Sequence, residues 1–137
     1  MLEKLKTDFY ALLVGLGYNT TDNGAYVENF PWLMLRLGTA TTNAAVNSTT
    51  GKASLVLDIF STYAGEKEVL QIAGNIEDHL EDLMKSNPNI LYCNQKSFKI
   101  LDDKSTGPVR KHGVVNYEFL LGKAKSTESE VPSSELE

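Results

Sequence analysis

The chain has 137 residues with 42% apolar and 23% charged side chains, the size and balance of one globular domain with a substantial core. Thirteen basic residues stand against eighteen acidic ones, a formal charge of −5 that argues against broad attraction to nucleic acid or an anionic membrane. A single cysteine, Cys93, excludes an internal disulfide and fits a reducing compartment. No apolar segment approaches the roughly 20 residues needed to span a bilayer, and the start of the chain lacks a signal-peptide pattern.

Leu2, Leu5, Phe9, Leu12, Leu13 and Leu16 recur at three- and four-residue spacing and predict an amphipathic helix over 2–16, stopped by Gly17. The stretch NTTDNGAYVENFP reads as turns. After Pro31, Leu33, Leu35 and Leu37 alternate with Trp32, Met34 and Arg36 as in a strand. Residues 39–52 form a connection without charge up to Lys52, rich in Thr and Asn, long enough to carry a role of its own. A second strand covers about 53–63 before Gly65. From Glu66 a helical stripe of Val69, Leu70, Ile72, Ala73, Ile76, Leu80, Leu83 and Met84 faces one way, and Glu77, Asp78, Glu81 and Asp82 face the other. ILYCNQKSFKILDD is a less regular strand, KSTGP a turn, and HGVVNYEFLLG a final alternating strand. Residues 123–137 are polar and mostly acidic, with too little apolar surface to offset ordering, so an acidic disordered tail is expected after a 1–122 domain.

The order helix, strand, strand, helix, strand, strand predicts an α+β domain: a mostly antiparallel four-stranded sheet with two principal helices packed on it. Leu55, Leu57 and Ile59 then seat the helices, and Val56, Asp58 and Phe60 point to the opposite face. That face is too apolar for a sheet surface left wholly to water. A neighbouring subunit is the expected cover, with Asp58 a polar member of the contact.

No chemical motif emerges. His79 in IEDHLED has only Asp82 nearby as a second ligand, and a helix cannot wrap EDHLED around a calcium ion as a twelve-residue loop does. His112 lacks an identifiable nucleophile or orienting partner, and Cys93 reads as a small core residue. Gly15 and Gly17 follow a helix where a dinucleotide fingerprint must follow a strand. Arg110 and Lys111 make too short a basic turn for a nucleic-acid platform. Asp102 and Asp103 precede a turn and suit backbone capping. The expectation is a protein that is not an enzyme and holds no cofactor or metal.

The string LVLDIFSTYAGEKEVLQIAGNIEDHLEDL resembles the central segment of tail-completion, or tail-terminator, proteins of long-tailed bacteriophages. There, a strand ending in Asp and Ser, like Asp58 and Ser61, passes through a glycine turn into a helix. An aspartate-containing turn, like Asp102 and Asp103, and a histidine opening a last aromatic strand, like His112, follow. The likeness extends over residues 1 to about 122. It implies a virion protein made in the host cytoplasm: a hexameric ring at the head-proximal end of the tail that caps the tube, ends its polymerisation and presents a surface for head joining. Its partners would be further copies of itself, the major tail tube protein and the head–tail connector, with DNA passing through unbound. The candidate contact residues are Val56, Asp58, Phe60 and Ser61 on the strand, Thr41, Thr42, Asn43, Asn47, Ser48 and Thr49 in the long connection, and Glu77 and Glu81 on the helix. Alternatives are another connector or neck (stopper) protein, or a small cytosolic ligand-binding domain.

Overall fold

The computed structural model describes residues 2–22, 29–42 and 51–122. Asn43, Asn47, Ser48 and Thr49, and the expected disordered tail at 123–137, lie outside the described residues. Helix α1 spans Leu2–Gly15, and strand β1 Asn19–Thr21. Strands β2 (Trp32–Thr42) and β3 (Gly51–Ser61) form an antiparallel pair. Helices α2 (Lys67–Asp78) and α3 (Leu80–Ser86) follow, then β4 (Ile90–Asp102) and β5 (Lys111–Leu121).

The α+β class holds, but the expected sheet is corrected. Among the described residues it has five strands in the order β1-β2-β3-β5-β4 and is mixed, because β1 runs parallel to β2. Three residues of NTT are too few to show an alternation, so the turn-rich segment concealed a strand. The single second helix is also corrected: it breaks at His79, whose φ of −108° and ψ of 7° leave the helical region. The broken turn stays bonded, since the His79 amide donates to the Ile76 carbonyl and the Asp82 amide to the His79 carbonyl, both at 3.0 Å.

The alternation in β3 and β5 places Leu55, Leu57, Ile59, Val115, Tyr117 and Phe119 beneath the helices, all fully buried. Phe9 of α1 meets Tyr117 and Phe119 edge-on, with ring centroids 5.1 and 6.0 Å apart. Gly113 lets α2 descend onto β5: a Cβ there would stand 2.5 Å from Val69 Cγ1. Gly17 ends α1 at φ +94°, and its amide and that of Tyr18 donate to the Val14 and Leu13 carbonyls, the paired bonds of a left-handed helix stop.

With all helices on one layer, the opposite sheet face carries Trp32, Met34 and Arg36 from β2, Lys52, Val56, Asp58 and Phe60 from β3, His112, Val114 and Asn116 from β5, and Lys99 and Leu101 from β4. No helix among the described residues is long and apolar enough to cross a membrane.

Candidate interaction surface

Asp58 sits in the middle of the helix-free face and is only 2% exposed. The register sets Met34 and Val114 beside it on the flanking strands. Arg36 Nε donates to its Oδ2 at 2.8 Å, and His112 Nε2 donates to its Oδ1 at 2.8 Å. The carboxylate oxygen has no hydrogen to offer, so Nε2 must carry the proton in this contact. Burial alone would raise the carboxyl pKa of Asp58, but the donors from His112 and Arg36 outweigh it and hold that pKa below the usual value. The aspartate in an apolar strand is therefore a bridge: it joins β2 and β5 across β3 by side chains alone.

Three rings stack across the same strands. Phe60 lies 4.6 Å from Trp32 and 4.5 Å from His112, with interplanar angles of 26° and 20°. Trp32 Nε1 donates to Thr21 Oγ1 at 2.8 Å and ties the stack to β1. His112 thus belongs to both systems, edge to Asp58 and face to Phe60.

The structure brings Val56, Asp58 and Phe60 onto one face as expected, and corrects the picture of that face as bare apolar surface. Val56 is only 6% exposed in the single chain, and Phe60 is half-buried between its two stacking partners. Ser61 lies on the other layer, fully buried, where it donates to Glu68 and accepts from the Tyr63 amide, so its side chain serves the joint between β3 and α2. Thr41 is exposed on β2 opposite Lys52, and Thr42 pairs in register with Gly51. Glu77 and Glu81 are exposed across the break between α2 and α3, remote in the fold from the ring stack.

Sequence reasoning missed Arg36 and Trp32 as members of this face. The signal lay in the β2 alternation, which places both opposite the leucines, and in the need of an in-strand aspartate for a cation. Asp103 behaves as the turn chemistry predicts: its Oδ1 accepts from the Ser105 amide at 2.8 Å, and these Ser105 contacts lower its pKa. Asp102 instead meets Lys111 across the strand pair. Burial pushes the Cys93 thiol up to about 11, which leaves it an inert packing group at neutral pH. Among the described residues no three His, Cys, Asp or Glu side chains gather into a metal-binding group. An open groove of about 670 Å³ lies between α1 and β2, lined by Leu2, Glu3, Lys6, Thr7, Tyr10 and Leu37 with Asp22. It does not touch the Asp58 cluster.

The chain is a small α+β domain whose distinctive side chains form an ion-paired, ring-stacked sheet surface. The chain belongs to the tail completion protein gp17 family, whose profile matches residues 3–122. It is therefore a structural protein of phage tail completion, and a component of the virion. No curated protein is similar enough to be set beside it. The likeness drawn from the central strand–turn–helix segment is borne out, across nearly the span it was given.

Proposed function

We propose that this protein closes a phage tail: copies assemble as a hexameric ring on the head-proximal end of the tube, stop its growth and offer the surface to which the head connector binds. The observation that carries this is the family match across 3–122, which takes in every strand and helix described above. Closing a ring needs two different patches per subunit, each meeting its counterpart on the next. The domain has two contrasting sides: the Arg36–Asp58–His112 sheet face, and the exposed carboxylates near His79. The end of β2 at Thr41 and Thr42 and the connection that follows it, with Asn43, Asn47, Ser48 and Thr49, form the proposed contact to the tube protein; the strands β2 and β3 reach into the 39–52 segment expected to be a connection. Its lack of charge and wealth of hydroxyl and amide groups suit a segment that hydrogen-bonds to a partner strand. A chain of net charge −5 lining the bore repels DNA phosphates and lets the genome pass without adhering.

The test is a phage carrying an early stop codon in this gene, imaged in infected-cell lysates. Filled heads beside unjoined, overlong tails are expected, with normal particles restored by the gene supplied in trans. Tails of parental length that fail to join would move the assignment to a neck (stopper) protein. Intact infectious particles would overturn both.

A further inference from the structure

Arg36 gives only one of its nitrogens to Asp58. Nε makes that bond, the two terminal nitrogens make no hydrogen bond to a described residue, and the side chain is 51% exposed. Asp58 is fixed from its other side by His112, so the half-exposed guanidinium is anchored through Nε to a carboxylate that is itself held in place. A planar fork already oriented loses little freedom when a second carboxylate arrives. On the same face the Trp32–Phe60–His112 stack supplies a partly exposed row of rings. Further along the same face Lys52 and Lys99 are exposed, with no ion-pair partner among the described residues. Arg and Trp in a partly desolvated setting are the residue types that dominate protein interfaces.

The matching chemistry sits on the other layer of the same domain. Glu77, Asp78, Glu81 and Asp82 are all exposed within the six residues that span the break at His79, and none has an ion-pair partner among the described residues. Cationic sheet face and acidic helix elbow point away from each other, so they cannot meet within one copy. They can meet between copies, as two unlike patches, which is the contact a ring requires.

The geometry points to a subunit contact in which the α2–α3 elbow of one copy seats on the sheet face of the next, with Arg36 as the anchor that takes a carboxylate from Glu77 or Glu81. This deepens the ring proposal above and rests on it. Asp58 is the positioning residue of the contact, because it aims the guanidinium without touching the neighbour. The ring stack forms the apolar floor beside the anchor.

Charge reversal on the full-length chain tests this, read by sedimentation velocity over a range of concentrations, with thermal unfolding as the check on folding. E77K/E81K lies on exposed helix surface and keeps the fold; it should raise the dissociation constant for self-association at least about tenfold. R36E should do the same, and joining all three substitutions in one chain, which restores opposite charge at every contact, should recover association to within about threefold of the parent. If R36E fails to fold beside Asp58, the helix pair decides alone. A parent that associates while E77K/E81K associates equally well overturns this contact and leaves the ring intact. A ring that persists in E77K/E81K or R36E while tube binding is lost assigns the face to the tube protein and also overturns it. A parent that stays monomeric at every concentration overturns the ring proposal, and this contact with it.

Discussion

Asp58 is answered by two donors, Arg36 Nε and His112 Nε2. Replacing it by Asn keeps the shape but leaves the Arg36 and His112 hydrogens facing a neutral amide, of which only the oxygen can accept. We expect D58N to cost about 2 kcal/mol, below the value for a fully buried pair because Arg36 is half in water; urea unfolding measures it. Tyr117 makes the opposite case. Its ring is fully buried, burial raises its hydroxyl pKa, and the hydroxyl has no hydrogen-bond partner among the described residues. Y117F removes an unsatisfied polar atom and keeps the edge-on contact with Phe9, so stability should be unchanged or rise by up to about 1 kcal/mol. A drop of similar size in the melting experiment would reveal a partner for that oxygen.

At the scale of elements, long periodic segments were legible and short or interrupted ones were not. The apolar spacing of α1 and the left-handed stop at Gly17 follow from local preferences that nothing else in the fold opposes. The alternations of β3 and β5 survived because both strands are central, and each has one face under the helices. Strand β1 was hidden because its three residues take their conformation from β2, a partner eleven or more positions away. The break at His79 was hidden too, since Ile76, Leu80 and Leu83 keep a helical stripe through it. The candidate surface was half legible: Asp58 announced itself by charge in an apolar strand, but its partners are fixed only by register. Gly113 carries a signal of the same kind, a glycine inside a strand. G113A should cost about 1–3 kcal/mol, because Val69 must retreat and α2 with it. An unfolding midpoint equal to the parent's would mean that the helix yields without loss.

For the molecule as a whole, proton binding links these sites to stability. Asp58, Asp102 and Asp103 have folded-state pKa values below their ordinary ones. Each contributes stability that is present above the unfolded pKa of about 3.9 and is lost as pH falls through the lower folded value. Asp102 is exposed at the end of β4 and Asp103 is only partly buried in the turn, so both add little, and Asp58 dominates. The melting temperature should hold through neutral pH and fall steeply below about pH 4, and D58N should flatten that fall.

The strand order has its own consequence for synthesis. Of the described strands β5 is the last to leave the ribosome, yet it lies between β3 and β4. Until residues 111–121 emerge, the first three strands and β4 share no hydrogen-bonded edge, and Asp58 lacks His112. An incomplete nascent chain therefore has neither a complete sheet nor the Arg36–Asp58–His112 bridge. The complete sheet, and with it the Asp58 bridge, is conditional on translation through β5.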